Sequence, residues 1–118
     1  AKVLNVDLAP TFLDLAGLSI PSWMQGRTLR PLLMGEESEW RDAFLYEYFR
    51  DFPYQVPAHK ALRTERYLYV MYERGRPDAL FDIAADPRTW HKIIDTPAGQ
   101  AALPALREQL RAEEARLS

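Results

Sequence analysis

The feature that most constrains the fold of this 118-residue chain is a series of four strand-like segments, residues 43–49, 60–64, 67–72 and 79–83. The first and third segments are rich in aromatic residues, which favour β-strands. The connections between the segments are shorter than the crossovers that parallel strands need. The sequence therefore predicts a four-stranded antiparallel sheet.

A helix is predicted after the sheet segments. Its leucines recur at steps of three, four and seven residues, the spacing of one helical face, and they are Leu103, Leu106, Leu110 and Leu117. The helix should begin near Pro97, and Pro104 predicts a kink or a restart because proline lacks a backbone N–H. The sequence favours an α+β fold, in which a small four-stranded antiparallel sheet packs with a C-terminal helix and short helices precede the sheet.

A short amphipathic helix is predicted near the start of the chain. Asp7 is a candidate N-cap, and Gly17 suits a left-handed position at the helix end. One face carries the apolar residues of this helix, which are Leu8, Phe12, Leu15 and Ala16. So many apolar residues in so short an element predict packing on a larger body.

A second short helix is predicted over residues 28–34, ending at Gly35, and an acidic connector follows at residues 36–39. The sequence therefore predicts two unequal pieces, residues 1–35 with the two helices and residues 36–118 with the sheet and the long helix. No internal repeat or low-complexity segment is present.

The composition is that of an ordinary globular domain, with 47% hydrophobic and 27% charged residues. A formal net charge of −2 gives no electrostatic reason to expect nucleic acid or an acidic membrane as a partner. No apolar run is long enough to span a membrane, and the first residues show no signal-peptide pattern, so the localisation is not indicated. The chain has no cysteine, which excludes disulfides and thiolate chemistry within it.

Two segments near the start resemble sulfatase signatures of the alkaline-phosphatase-like superfamily. Residues 6–17 read VDLAPTFLDLAG and residues 25–33 read QGRTLRPLL. Residues 61–70 (ALRTERYLYV) and 80–87 (LFDIAADP) are similar to patterns of the C-terminal sulfatase subdomain. Four patterns in the family's order cover nearly the whole chain. Three residues depart from these family patterns: Leu68 replaces lysine, Thr89 replaces glutamate and Lys92 replaces asparagine. These positions look structural in the family.

The resemblance implies a sulfuric ester hydrolase that uses a divalent metal, calcium, and a formylglycine made from the first residue of C/S-x-P-x-R. The nearest match, residues 19–23, has Trp23 where that motif requires arginine. The chain is thus expected to be the C-terminal portion of a sulfatase acting on a sulfated small molecule or carbohydrate. It would complete the fold beside the N-terminal catalytic portion, shape the substrate cleft, and be inactive alone.

Two alternatives remain open at this point. One is a stand-alone, non-catalytic binding or assembly module, which the absence of the nucleophile motif upstream would support. The other is part of a related phosphonate or phosphodiester hydrolase, which activity on phosphorus esters rather than sulfate esters would distinguish.

No catalytic residue or metal ligand is predicted within the chain. Asp7 and Asp14 lie two helical turns apart, but no third oxygen ligand is near, so capping and solvated-helix roles are favoured. His59 and His91 form no local metal motif. Basic and aromatic residues interleave over residues 59–69, as on single-stranded nucleic-acid surfaces, but a strand pair with a charged outer face explains the pattern better.

His59 is the candidate substrate-binding residue. The loop before it, residues 50–58, resembles a loop of carbohydrate sulfatases that leans over the catalytic cleft. A histidine there would donate a hydrogen bond to a sugar hydroxyl or help to neutralise a sulfate. The alternative is a histidine that only caps the strand beginning at Lys60. Finally, the apolar helix near the start predicts self-association of the isolated chain.

Overall fold

The computed structural model describes residues 1–36 and 39–118, so Glu37 and Ser38 of the predicted acidic connector lie outside the described residues. Two units can be distinguished by their internal contacts, Ala1–Asp42 and Ala43–Ser118. No helix of the described residues is both long enough and apolar enough to cross a membrane.

The first unit contains a 3-10 turn, Asn5–Asp7, which runs into helix α1, Leu8–Leu15, and a single-turn helix α2, Arg30–Leu33. Gly17 follows α1 with a φ of +73°, which confirms the predicted left-handed position at the helix end. Helix α2 is shorter than the predicted segment 28–34.

The predicted apolar face of α1 is exposed in this chain. Leu8, Phe12 and Leu15 have 48%, 65% and 58% of their surface accessible. The buried residues of α1 are Pro10 and Thr11, which lie between those positions in the sequence. The helix therefore contacts its own chain through its other side and leaves the apolar stripe uncovered.

The second unit begins with a sheet of four strands in the order β1-β2-β3-β4, in which every neighbouring pair is antiparallel. The strands are β1 Phe44–Tyr48, β2 His59–Arg63, β3 Tyr67–Tyr72 and β4 Ala79–Asp82. This arrangement confirms the four-stranded antiparallel sheet that the sequence predicts.

Helix α3, Pro97–Leu117, covers one face of the sheet. Thr96 caps its N-terminus, because the Thr96 hydroxyl accepts a hydrogen bond from the backbone N–H of Gly99 at 3.1 Å. Pro104 lies inside one continuous helix, so the helix does not restart there. The core joins leucines of α3 to side chains on one face of the strands; its buried members are Ala43, Leu62, Tyr69, Leu80, Leu103, Leu106 and Leu110.

The opposite sheet face carries a smaller apolar cluster of Ala61, Val70 and Ala79, which are directly paired across β2, β3 and β4. Side chains alternate between the two faces along a strand, so His59, two residues before Ala61, lies on this second face. The candidate site is therefore built on the face away from α3.

Candidate functional site

The sheet register brings His59 into a row with two tyrosines. Tyr48 of β1 and Tyr72 of β3 are the direct cross-strand partners of His59. The His59 ring stacks on Tyr48 with centroids 5.5 Å apart and lies 5.6 Å from the ring of Tyr72. Tyr46 adds an edge contact at 5.8 Å. Three aromatic neighbours thus hold the imidazole in one orientation.

Hydrogen bonding leaves one nitrogen of His59 available. Its Nδ1 lies 2.8 Å from the carbonyl oxygen of Pro57. A carbonyl oxygen can only accept, so Nδ1 carries the proton in this contact. Within the described residues, Nε2 has no hydrogen-bond partner. It can accept a hydrogen bond from a hydroxyl when the ring is neutral, or donate one to an anion when the ring is protonated.

A cavity of about 480 Å³ opens beside this histidine. Its walls include the end of the β1–β2 loop, the last residue of β3 and two basic side chains; the lining residues are Val56, Pro57, His59, Tyr72, Arg76, Pro77 and Lys92. The cavity therefore combines apolar walls, an available imidazole nitrogen and positive charge, which is the lining expected of a site for a polar anionic ligand.

His59 also has a local structural role, because it is the first residue of β2 and bonds the carbonyl two residues before it. Strand β2 starts one residue earlier than predicted. The contact to Pro57 and the availability of Nε2 involve different ring nitrogens, so the strand-capping role and a ligand-binding role are compatible.

Asp7 has a different role from the one predicted. Its side chain is fully buried, and its carboxylate accepts hydrogen bonds from both Nη atoms of Arg41, at 2.5 and 2.7 Å. It also accepts the backbone N–H groups of Leu4, at 2.8 Å, and Arg27, at 2.9 Å. Asp7 stands at the N-cap position of α1, as predicted, but its side chain makes no capping hydrogen bond to that helix. The prediction of a solvated side chain is wrong, because Asp7 is buried. The residue instead closes the first unit by tying together three separate segments.

The environment of Asp7 lowers its pKa to about 2. Burial favours the neutral acid and raises the pKa. The hydrogen bonds from Arg41, Arg27 and Leu4 favour the carboxylate and together outweigh that effect.

Asp14 and the second histidine line neither of the described cavities. Asp14 accepts a hydrogen bond from the Thr28 hydroxyl at 2.8 Å and lies 3.5 Å from the Arg30 guanidinium. His91 Nδ1 lies 3.5 Å from a carboxylate oxygen of Asp86. In the described part of the chain, no three His, Asp or Glu side chains are grouped so that they could hold a metal ion.

The interleaved stretch 59–69 forms β2, the turn that follows it and the first half of β3. Lys60 Nζ lies 2.5 Å from Glu114 and 3.3 Å from Glu47, so carboxylates neutralise its charge. Tyr69 is buried in the core, where its hydroxyl donates to Asp78 at 2.5 Å. These residues therefore serve the sheet and its packing on α3.

Sequence reasoning selected His59 as a candidate but did not select the basic residues that line the cavity beside it. Arg76 lies in a segment recognised only as a turn, and Lys92 only as a departure from a family pattern. The available signal was weak, since it consists of basic residues in the β3–β4 turn and in the segment between β4 and α3.

Comparison with known proteins identifies the family. The family model of the N-sulphoglucosamine sulphohydrolase C-terminal domain matches residues 1–116. An N-acetylglucosamine-6-O-sulfatase of Bacteroides thetaiotaomicron is 36% identical over 97 residues, which are 77% of this chain and 17% of that protein.

Solved structures agree with this assignment. A protein solved in complex with its substrate D-glucosamine-2-N,6-O-disulfate superposes with a TM-score of 0.87 at 30% identity, over 96% of this chain and 24% of that one. A phosphonate monoester hydrolase from Silicibacter pomeroyi gives a TM-score of 0.81 at 31% identity, over 95% and 25% of the two chains. This chain thus spans about a quarter or less of each of these proteins. Because the family model covers nearly all of it, the chain belongs to the N-sulphoglucosamine sulphohydrolase C-terminal family of sulfatase domains.

Proposed function

We propose that this chain is the C-terminal part of a sulfatase that hydrolyses sulfate esters of a sulfated carbohydrate. The observation that carries the proposal is the family match over residues 1–116. A related 6-O-sulfatase and a solved structure with a disulfated glucosamine support the sugar as substrate class. In this proposal the chain completes the fold and forms one wall of the substrate cleft, and it carries no catalytic residue of its own.

His59 is the proposed contact to the sugar. Its ring is fixed by Tyr48 and Tyr72, its Nδ1 is occupied by Pro57, and its Nε2 faces no partner among the described residues. A side chain held in this way loses little conformational freedom when a ligand binds, so the hydrogen bond it forms adds to affinity. The bond would orient the sugar rather than take part in cleavage of the sulfate ester.

The test is His59→Ala in the full-length protein, assayed on a sulfated sugar and on a small aryl sulfate. A hydrogen bond to the sugar contributes only when the sugar is present. Its loss should lower kcat/KM for the sulfated sugar by roughly tenfold to a hundredfold, corresponding to about 1–3 kcal/mol. The aryl sulfate should be hydrolysed nearly as well as by the wild type.

His91→Ala is the matched control, since His91 is 79% exposed and lines neither described cavity. It should leave both substrates unaffected. Equal losses on both substrates with His59→Ala would assign His59 a structural role only and remove it from the substrate site.

We also propose that the full-length protein uses a divalent metal, calcium. The sulfatase family membership supports a metal in the intact enzyme. Among the described residues of this chain, no three His, Asp or Glu side chains are grouped to hold a metal, so no residue here is assigned to it. A chelator should abolish activity of the full-length protein, and calcium should restore it. Equal recovery with magnesium would contradict the choice of calcium.

A related phosphonate hydrolase is the second candidate function, because the phosphonate monoester hydrolase from Silicibacter pomeroyi shares this fold at 31% identity. The two candidates differ in the ester they prefer. Comparing kcat/KM of the full-length protein for an aryl sulfate and the corresponding aryl phosphonate decides between them.

A further inference from the structure

A second cavity adjoins the one at His59. It has a volume of about 420 Å³ and lies between the β1–β2 loop and the β3–β4 turn. Val56, Pro57 and Arg76 line both cavities. Because the two share these walls, a ligand seated beside His59 can extend directly into the second cavity.

Positive charge is concentrated around the two cavities, although the whole chain has a net charge of −2. The basic lining residues are Arg50, Arg74, Arg76 and Lys92, and the acidic lining residue is Glu73. Within residues 1–36 and 39–118, none of the four basic side chains forms a salt bridge.

Among the described residues of the same unit, four other basic side chains are paired with carboxylates, those of Lys60, Arg66, Arg107 and Arg116, whereas Arg63, Arg88 and Arg111 are not. Lys60 pairs with Glu47 and Glu114, and Arg66 pairs with Asp82 at 2.9 Å. Because the four basic side chains at the cavities form no salt bridge within the described residues, their charge is available to a ligand. Guanidinium groups bind sulfate and carboxylate with two parallel hydrogen bonds, which suits either anion.

The backbone of the β3–β4 turn adds a second observation. Arg74 has a φ of +59° and Gly75 a φ of +70°. A left-handed φ favours glycine or asparagine, so the turn geometry does not account for an arginine at position 74. Strained positions of this kind are found at ligand-binding sites, where function outweighs the local cost.

Aromatic side chains complete the lining of the second cavity. Phe52 is 93% exposed and Tyr54 is 64% exposed, and both lie in the loop that forms one wall. Exposed aromatic rings of this size offer flat apolar surfaces on which the apolar face of a sugar ring can pack. Together with three arginines, they suit an acidic sugar better than a free inorganic anion.

We propose that the second cavity is a subsite for a second anionic group, a sulfate or a carboxylate, on the sugar next to the one at His59. This inference rests on the proposed sulfatase function. It makes the preferred substrate an oligosaccharide with negative charge on two neighbouring sugars. Arg50 and Arg74 line only the second cavity, and Arg76 lines both.

The test uses the full-length protein with the double substitution Arg50→Gln/Arg74→Gln. Three sulfated disaccharides are compared, whose neighbouring sugar carries a sulfate, a carboxylate or no charge. Loss of two charge-assisted contacts should lower kcat/KM about tenfold or more for a disaccharide with a charged neighbouring sugar. The uncharged disaccharide and an aryl sulfate should be hydrolysed at the wild-type rate. The sulfate and carboxylate substrates show which anion the subsite prefers.

The matched control is Arg27→Gln/Arg111→Gln. It also removes two positive charges, but from exposed positions that line neither cavity. An equal loss with this control would show a general electrostatic effect and overturn the subsite. A loss of the same size on charged and uncharged disaccharides would also overturn it.

Activity on the aryl sulfate tests the proposed function separately. If the wild type hydrolyses the aryl sulfate without preferring charged disaccharides, the subsite alone is refuted. If wild type hydrolyses no sulfate ester, the function fails and the subsite with it.

Discussion

Asp7 is a carboxylate without contact to solvent, and its hydrogen bonds explain why it stays ionised. Burial of an unpaired charge costs several kcal/mol, and a bidentate guanidinium with two backbone donors offsets that cost. The Arg41 side chain is itself only 8% exposed, so each charge depends on the other. The pair links the 3-10 turn to the chain just before the second unit begins.

The substitution Asp7→Asn should destabilise the first unit strongly. Asparagine nearly preserves the shape but leaves Arg41 buried without its counter-charge, which costs about 3–5 kcal/mol. Urea denaturation followed by tryptophan fluorescence measures the effect, since Trp40 donates to the Lys2 carbonyl within this unit. Asp14→Asn is the control, because the exposed pair with Arg30 contributes less than about 1 kcal/mol. Equal losses for both variants would contradict the buried-pair argument.

Acid should weaken the first unit for the same reason. The pKa of Asp7 is lowered to about 2 in the folded chain, from the ordinary aspartate value of 3.8. A lowered pKa contributes stability above the unfolded value, and this contribution is lost as the pH falls toward the folded value. Between about pH 4 and pH 2 the wild type should lose on the order of 2 kcal/mol through this residue. Asp7→Asn should lack this part of the pH dependence, and parallel curves for the two proteins would refute it.

At the scale of single residues, the sequence indicates which side chains are candidates for a function better than it predicts which side chains they contact. The partner of Asp7 is 34 positions away, and no local pattern relates position 7 to Arg41. For His59 the candidate could be selected from its loop, but the row with Tyr48 and Tyr72 depends on strand register. The ten-residue connection between β1 and β2 leaves that register undetermined by turn geometry.

Among the elements, helix α3 stabilises the sheet through a narrow stripe of leucines. Leu103, Leu106 and Leu110 have 4%, 5% and 2% of their surface exposed, whereas most of the remaining helix is accessible. The stripe packs on the face that carries Leu62 and Tyr69. The opposite face is thereby left to the candidate site.

Leu106→Ala should destabilise the second unit by about 2–5 kcal/mol, because it leaves a cavity where the leucine packs against the sheet. Glu108→Ala, on the exposed side of the same helix, should change stability by less than about 0.5 kcal/mol. Denaturant unfolding measured by circular dichroism compares the two variants. Similar stabilities would show that the helix does not depend on this stripe.

The elements themselves were largely predictable because their signals are local. Aromatic and aliphatic runs located all four strands to within a residue or two, and the leucine spacing located α3. The length of helix α2 was overestimated because tertiary contacts involve the residues at its predicted start. The Leu29 N–H donates to the Thr11 hydroxyl at 2.8 Å, and Thr28 bonds Asp14, so residues 28 and 29 are used for contacts with α1 instead of helix.

At the scale of the whole molecule, the exposed apolar residues of the first unit require an explanation. Leu8, Phe12 and Leu15 share one side of α1, and Trp23 is 76% exposed in the segment that follows. Contiguous apolar surface of this kind marks an interaction site in soluble proteins. In the proposed sulfatase, we expect the rest of the protein to cover this surface.

The isolated 118-residue chain should therefore self-associate. Burying the apolar stripe of α1 between two copies removes it from water, at about 25 cal/mol for each Å² of apolar surface. Sedimentation velocity over a concentration series should show species larger than the monomer, and a dye specific for apolar surfaces should bind.

Phe12→Ser/Leu15→Ser should shift the chain toward monomer without unfolding it, since both side chains are more than half exposed. Phe52→Ser/Tyr54→Ser removes exposed aromatics from the second unit and should leave association unchanged. A strict monomer at high concentration without dye binding would refute the prediction, and equal effects of the two double variants would refute the role of α1.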